Sequence, residues 1–260
     1  MKKIYLLISL TMSMMACQKG EMVSSYQEFS EVLFSEPLPS GMQIYRNGDV
    51  LTISGQQRVK TPMGEATYTF VDGTGTVLLE QMLAFDKRRD TVSFIEDGEA
   101  SYVLRSLADV AVNPARIKLD IANLSAFTEG NPVNIQAYKV DNLTLAPLGE
   151  PETMSNVSSV FTHNFYELDL GGYAALPVAE VGNYAILLYL VDREGQPYRI
   201  NGYPVAYFFF PEVDLGGSEQ LKKVYRLLLR EDNDDLGEVP GVGAYPDGAR
   251  IFMAVSKDSK

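Results

Sequence analysis

Short β-prone runs separated by tight-turn dipeptides are the feature that most constrains the fold of this chain. Asn47-Gly48, Asp72-Gly73 and Asp97-Gly98 each stand between two such runs. Gly and Asn or Asp accept the positive φ that hairpin turns require. The run at 67–71 alternates in polarity, as a half-buried strand does. We therefore expect an antiparallel β meander or small sandwich over residues 42–107.

A second β unit is predicted over residues 113–211. The stretch RIKLDIANL places Ile117, Leu119 and Ile121 on one face of a strand, with charged residues between them. EVGNYAILLYLVDREGQPYRI predicts a long strand, a turn at 192–195 and another strand. The aromatic stretch PYRINGYPVAYFFFPE favours packing in the core or at a strand edge, and sugar stacking on exposed rings is the alternative.

The C-terminal segment, residues 212–260, has a different pattern. Apolar residues from Leu221 to Leu229 recur at helical spacing behind a possible cap at Ser218, which predicts a helix. ARIFMAVS near the end predicts a last strand. The predicted fold class is therefore mostly β, with two antiparallel β-sandwich-like units and a short C-terminal helix/strand extension.

Glu180, Gly182 and Tyr184 have the spacing of the DxGxY motif, and in this respect residues 113–211 resemble immunoglobulin-like β-sandwich domains. In that family the tyrosine forms a tyrosine corner with nearby backbone, so the resemblance implies a structural role for Tyr184. Ile186 stands where antibody domains place a cysteine, and the chain has no tryptophan. The resemblance is therefore to the broad sandwich class, which hosts many unrelated functions.

The N-terminus has the layout of a secretory signal peptide. Lys2 and Lys3 precede an apolar stretch at 4–15 that is too short to span a bilayer as a helix. Ala16 is the small residue before the predicted cut, and Cys17 follows it. We expect residues 1–16 to be the signal peptide.

The sequence MMAC at 14–17 resembles a bacterial lipobox. The resemblance implies cleavage between Ala16 and Cys17 and acylation of Cys17, with palmitate-type chains anchoring the protein in a membrane. QKGE at 18–21 resembles the surface-export signal of Bacteroidota lipoproteins. It implies the outer membrane and the cell surface, with the periplasmic face as the alternative.

Residues 17–41 are interpreted as the lipidated N-terminus and a tether. Ser25 and Glu28 have capping-box spacing, and Tyr26, Phe29 and Leu33 would share a helical face. The sequence therefore predicts a short helix in the tether, ended by the prolines at 37 and 39.

Charge and cysteine content make nucleic-acid binding and disulfide bonds improbable in this chain. The chain has 22 basic and 34 acidic residues, and loss of residues 1–16 removes two lysines and no acid, so the formal charge falls from −12 to −14. Nucleic-acid binding is disfavoured, since it requires Lys and Arg to neutralise phosphates. Cys17 is the sole cysteine, so no disulfide is expected in the folded part.

We find no catalytic constellation and no cofactor motif in the sequence, and predict that the protein is not an enzyme. His163 is the single histidine, which excludes a metal site with several histidines, and no GxSxG motif is present. FTHNFYELDL predicts a strand, with His163 on the surface or at the strand end. The 34 acids do not identify a glycosidase-type carboxylate pair by spacing.

Two further stretches are candidate sites. EDNDDLGE at 231–238 lacks the ligand spacing of an EF-hand, so we interpret it as a solvated acidic loop, with calcium bound by Asp232, Asp234 and Asp235 as the alternative. Asp90-Thr91-Val92 resembles the O-glycosylation signal of Bacteroidota and implies modification of Thr91. The preceding DKRRD predicts the exposed turn that such modification needs.

Taken together, these patterns predict a lipid-anchored envelope protein that acts as a non-catalytic binding or structural module. Its expected partners are the membrane, through the lipid, and a glycan or an envelope protein. A fimbrial subunit or anchor, which would exchange a strand with its neighbours, is one alternative. A glycan-processing enzyme with an unidentified carboxylate pair is the other.

Overall fold

The structure is a computed structural model that describes residues 27–96, 100–214, 220–231, 237–239 and 248–260. The protein is mostly β, as predicted, with strands β1–β22 and a short helical turn, α1 (Val178–Val181). The chain divides into two compact units, the first ending at Arg105 and the second beginning at Ser106. Among the described residues, no helix combines the length and the apolar character needed to cross a bilayer.

Two sheets make up the described part of the first unit. Their strands are β1 Phe29–Phe34, β2 Gln43–Arg46, β3 Asp49–Leu51, β4 Ile53–Ser54, β5 Arg58–Pro62, β6 Gly64–Val71, β7 Val77–Phe85, β8 Arg89–Glu96 and β9 Ser101–Arg105. One sheet has the order β4-β5-β1-β8-β9 and the other the order β3-β2-β6-β7. β1 and β8 run parallel to each other, whereas β1 and β5 are antiparallel.

The core of the first unit lies between the inner faces of these two sheets. Val32, Val59 and Val92 come from the five-stranded sheet and are at most 3% exposed. Tyr68 and Phe70 face them from β6, where buried and half-buried residues alternate as predicted. This is the sandwich expected from the alternation.

The helix predicted in the tether is wrong where the structure describes it, because residues 29–34 form β1. Val32 and Phe34 are buried in the core, so β1 uses the two-residue period of a strand rather than the helical spacing of Phe29 and Leu33. Hydrogen-bonded pairing with β5 on one side and β8 on the other stabilises the extended conformation of these residues. The connection from Cys17 to β1 is thus residues 17–28, which span at most roughly 40 Å.

The three predicted turn dipeptides lie between consecutive strands, and the structure describes two of them. Asn47 and Gly48 have φ values of 49° and 89° and join β2 to β3, as predicted. Asp72 begins the turn between β6 and β7, where its Oδ1 accepts hydrogen bonds from the backbone N–H groups of Thr74 and Thr76. Asp97-Gly98 lies outside the described residues, between the antiparallel strands β8 and β9.

The second unit has two principal sheets and one short strand pair. Its strands are β10 Ile117–Asn123, β11 Val133–Asp141, β12 Glu152–Val157, β13 Tyr166–Leu168, β14 Tyr184–Val191, β15 Arg199–Ile200, β16 Tyr203–Phe209, β17 Val213–Asp214, β18 Gln220–Leu221, β19 Val224–Leu229, β20 Gly237–Val239, β21 Ala249–Met253 and β22 Val255–Ser259. The smaller sheet has the order β13-β10-β19-β22. The larger has the order β12-β11-β14-β16-β21-β20, with β15 on β16, and β17 pairs with β18.

The main core of the second unit lies between these two sheets. Ile117, Leu119 and Ile121 contribute from β10 as predicted, and Ile186 and Leu188 contribute from β14. The aromatic run of β16 is buried, with Tyr207, Phe208 and Phe209 at most 3% exposed, so the prediction of core packing is confirmed for these residues.

The helix predicted near Ser218 is wrong for the residues that the structure describes, because β18 and β19 occupy that segment. All six residues of β19 are buried, and β19 lies between β10 and β22. A strand buried on both faces reads as a continuous apolar run, and such a run can match helical spacing by chance. The C-terminal segment therefore supplies an inner strand of the smaller sheet, and β21 joins the larger one.

Candidate functional site

The outer face of the five-stranded sheet in the first unit collects basic side chains. Burial alternates along β1 and β5, so Val32 and Val59 point to the core while Glu31, Lys60 and Arg58 lie on the opposite face. The register aligns Glu31 with Lys60 on one side and with Arg89 on the other. Neighbouring strands are about 5 Å apart, so Lys60 and Arg89 place positive charge on both sides of β1 across a width of about 10 Å.

Glu31 is shared by two arginines of this face. Its carboxylate lies 3.8 Å from Arg58 Nη1 and 3.5 Å from Arg89 Nε. The side chains of Arg58 and Arg89 are 63% and 88% exposed. Such exposed pairs contribute little to stability, so both guanidinium groups remain available to a ligand.

Two shallow grooves cross this face, and together we call them the basic face. The first, about 480 Å³, is lined by Phe29, Glu31, Ser54, Arg58, Val59, Lys60 and Arg88. The second, about 250 Å³, is lined by Glu31, Leu33, Arg58, Arg89, Asp90 and Thr91. Four basic residues thus face two acids, and one of these, Asp90, is 3.7 Å from Arg105. The basic face carries net positive charge on a chain whose formal charge is −12.

Phe29 adds an aromatic surface to the basic face. Its side chain is 43% exposed, and Lys60 Nζ lies 5.0 Å from the ring centroid. An exposed ring beside cationic groups offers both stacking and charge contacts. Phe29, Lys60 and the neighbouring arginines thus place aromatic and cationic groups side by side on one exposed surface.

Thr91, the predicted O-glycosylation residue, lies within this face. It is half-buried in β8, where it aligns with Leu33 of β1. The exposed turn predicted for DKRRD is limited to residues 86–88, because β8 begins at Arg89. Modification of Thr91 stays a prediction, and a glycan there would lie on the basic face.

A second group of charged residues is buried in the smaller sheet of the second unit. Arg226 in β19 is 1% exposed and Asp120 in β10 is fully buried. Arg226 donates from Nε to Asp120 Oδ2 (3.4 Å) and from Nη1 to Asp258 Oδ2 in β22 (3.2 Å). These two carboxylates compensate the charge of the guanidinium group, as buried charges require.

His163 closes this cluster, and the strand predicted around it is limited to β13. It lies before β13 with a φ of 59°, and its side chain is 22% exposed. Its Nδ1 is 3.2 Å from Arg226 Nη2 and 3.8 Å from Asp120 Oδ2. These contacts attach the segment from Ser158 to Phe165 to the outer side of the smaller sheet. Arg226 Cζ also lies 5.9 Å from the centroid of the Phe165 ring.

Burial raises the pKa of Asp120, and the nearby Arg226 guanidinium opposes that shift. Burial also raises the pKa of Asp258, again opposed by Arg226. Both carboxylates are thus engaged by one cation, and the cluster is organised as a structural ion-pair network. A glycosidase-type acid and base would instead face an open cleft.

Glu231, the first residue of the acidic stretch, has a structural role. Its carboxylate accepts hydrogen bonds from Tyr207 Oη (2.7 Å), from the Ala126 N–H (2.8 Å) and from Ser125 Oγ. These bonds fix the short 3₁₀ turn at Ala126–Thr128. The calcium candidates Asp232, Asp234 and Asp235 lie outside the described residues, as do Ala16 and Cys17.

Tyr184, for which the resemblance implies a tyrosine corner, is the first residue of β14. It follows Gly182, the C-cap of the helical turn α1, by two residues. Lys139 Nζ lies 5.3 Å from its ring centroid, and its carbonyl accepts a hydrogen bond from Tyr173 Oη at 3.4 Å. The corner role of Tyr184 stays a prediction.

Sequence reasoning missed the residues of both charged groups. Arg226 stands inside the apolar run VYRLLL, and Asp120 stands inside IKLDIAN. A charged residue within a buried strand is almost always paired with an opposite charge, so these two positions were the available signal. The alternation of Arg58, Val59 and Lys60 was the corresponding signal for the basic face.

A scan against protein-family models finds no matching family, and a search of curated proteins finds no significant relative.

Proposed function

We propose that the protein is a lipid-anchored cell-envelope protein that acts as a non-catalytic binding module at the outer membrane and cell surface. The observation that carries the proposal is the basic face. It combines four basic side chains, an exposed aromatic ring and open grooves on a sheet whose other face is packed. Charged and aromatic groups left exposed on a rigid sheet favour recognition over stability.

The anchored state is supported by the N-terminal sequence. Cys17 precedes β1 by twelve residues, so an acyl chain on Cys17 would hold the first unit within roughly 40 Å of the bilayer. Phe29, which lines the basic face, is the first residue of β1. The basic face would therefore belong to the unit next to the membrane.

The non-catalytic role is supported by the state of the charged groups. Asp120 and Asp258 pair with Arg226, and Asp120 is inaccessible to a substrate. Asp120 and Asp258 therefore do not supply the acid and base that the glycan-processing alternative needs.

Protease shaving of intact cells tests the location. We expect the wild type to fractionate with membranes and to be digested, and the Cys17→Ala protein to leave the membrane fraction. A variant with Lys19→Ala and Glu21→Ala should stay in the membrane but become protected. Ser24→Ala, outside both signals, is the matched control and should behave as the wild type.

Two results would contradict the proposal. A wild-type protein that is acylated yet protected from protease would place it on the periplasmic face. Membrane fractionation of Cys17→Ala equal to that of the wild type would remove the lipid anchor.

One observation favours the fimbrial alternative. β1 is the first described strand, yet it lies between β5 and β8 and buries Val32 and Phe34. Withdrawal of β1 would open a groove that a strand from another copy can fill. A ladder of multimers on unheated SDS gels would support the fimbrial role, and a single monomer band would support the binding module.

A further inference from the structure

We infer that the basic face binds an acidic polysaccharide, with the glycan lying along β1 between the basic side chains of β5 and Arg89 of β8. The inference rests on the proposed binding role of this face, but it does not depend on the lipid anchor. It names the class of ligand that the proposed function leaves open.

The separation of the charges favours an extended ligand. Lys60 on β5 and Arg89 on β8 flank Glu31 across about 10 Å. A single phosphate or carboxylate would need several donors converging within hydrogen-bond distance of one point. The basic face instead distributes its donors over two grooves, so a ligand with repeated charges would use more of them.

The surface also favours a glycan over an extended peptide. Extended peptides commonly bind by adding a strand to a sheet edge, through backbone hydrogen bonds. β5, β1 and β8 each pair on both sides, so this face presents side chains rather than free backbone groups. Guanidinium groups match the carboxylates of an acidic sugar, and the exposed ring of Phe29 can stack on a pyranose.

The charge of the rest of the chain disfavours a flat anionic surface. A bilayer of anionic lipid presents a wide negative surface, which repels a chain that carries 34 acidic and 22 basic residues. A narrow, flexible polymer can contact the basic face and avoid the acidic remainder. Electrostatic complementarity is then local, and the binding should weaken as salt is added.

The test measures binding of the full-length Cys17→Ala protein to polygalacturonate. Dextran serves as the neutral polymer, poly-L-glutamate as the acidic peptide, and vesicles with and without phosphatidylglycerol as the membrane. We expect binding to polygalacturonate that is stronger than to poly-L-glutamate, with no binding to dextran. Adding Arg58→Gln, Lys60→Gln and Arg89→Gln should weaken it at least about tenfold, because three exposed charge contacts are lost.

Two further variants make the result specific. Phe29→Ala should weaken binding to polygalacturonate more than binding to poly-L-glutamate, since only the sugar stacks on the ring. Arg193→Gln removes one exposed positive charge from the second unit and should change the affinity by less than about twofold. Circular dichroism of each variant confirms that the fold is retained.

Several outcomes would overturn the inference. Equal binding by the triple variant would exclude the basic face, and equal affinity for poly-L-glutamate would reduce the interaction to charge alone. Binding to phosphatidylglycerol vesicles and to no soluble polymer would make the membrane the ligand. These results leave the fractionation of Cys17→Ala untouched, so a failure of the ligand class is distinct from a failure of the anchor.

Discussion

Arg226 connects three parts of the chain within the second unit. It is 1% exposed, and its guanidinium group contacts Asp120, Asp258 and His163 from three different parts of the chain. Replacing one member of a buried ion pair leaves the other charge uncompensated. We expect Arg226→Met to destabilise the second unit by about 3–5 kcal/mol, measured by urea unfolding followed by tyrosine fluorescence.

The companion variants separate charge from packing. The double variant Arg226→Met/Asp120→Leu removes both buried charges and should regain a large part of the lost stability. Arg193→Met, at an exposed position of the same unit, should change stability by less than about 0.5 kcal/mol. A double variant no more stable than Arg226→Met would show that the arginine acts through its packing.

Glu212 provides a pH-dependent contribution in the same unit. Its carboxylate accepts hydrogen bonds from Lys222 Nζ (2.8 Å) and Ser259 Oγ (2.9 Å), and the bond from Lys222 holds its pKa below the ordinary value of 4.5. A lowered pKa in the folded state means that this stabilisation is present above pH 4.5 and is lost as the pH falls through the folded pKa.

The variant Glu212→Gln tests this contribution. The wild type should be more stable than the variant at pH 6, by at most about 1 kcal/mol because the pair is nearly half exposed. That difference should shrink as the pH falls below 4.5. Urea midpoints measured from pH 3 to pH 6 give the comparison, and a difference independent of pH would contradict it.

Among the elements, the β15–β16 hairpin depends on one backbone conformation. Asn201 and Gly202 have φ values of 51° and 89°, as a two-residue hairpin turn requires. A Cβ on Gly202 would meet no atom within 4 Å, so the effect of Gly202→Ala is due to φ alone. We expect a loss of about 1 kcal/mol in the free energy of unfolding.

Gly182 offers the matched control in the same unit. A Cβ there also meets no atom within 4 Å, but its φ is −65°. Gly182→Ala should therefore leave stability unchanged or raise it by about 0.4–1 kcal/mol, because the unfolded chain loses freedom. Thermal unfolding of both variants decides the point, and equal losses would show that φ is not the cause.

The elements that could be predicted from the sequence are those with a local signal, either alternating polarity or a residue that accepts positive φ. β6 buries one apolar face, and β10 has charged residues between its apolar ones, so polarity alternates along both strands in the sequence. Asn47-Gly48 requires a positive φ that few residues accept. β19 is buried on both faces, so its residues do not alternate in polarity and do not identify it as a strand. Its parallel pairing with β10 also leaves no signal in the local sequence.

Neither the Arg226 cluster nor the basic face could be predicted from the sequence, because each is formed by residues far apart in the chain. Asp120 and Arg226 are separated by 106 residues, and Arg89 reaches the basic face through the parallel pairing of β8 with β1. Pairings between distant segments leave no spacing signal in a single sequence. The individual charges were visible, whereas their proximity required the sheet topology.

At the scale of the whole molecule, the C-terminus completes the second unit. β21 pairs in parallel with β16, β22 pairs with β19, and Ala249 and Ile251 are fully buried. Lys260 Nζ donates hydrogen bonds to the carbonyl groups of Ala108 (2.8 Å) and Val110 (3.2 Å), at the start of the same unit. Residues 248–260 therefore belong to the fold of this unit.

Deleting residues 248–260 should unfold the second unit and leave the first intact. Both principal sheets of the second unit lose a strand, whereas the sheets and core of the first are formed before Arg105. Limited proteolysis with mass spectrometry should then yield a resistant fragment that ends near Arg105. Lys260→Ala is the control and should leave both units resistant, because it removes exposed hydrogen bonds and no strand. Survival of a second-unit fragment in the truncated protein would show that its core forms without β21 and β22, and digestion of the first unit would show that the two units fold together.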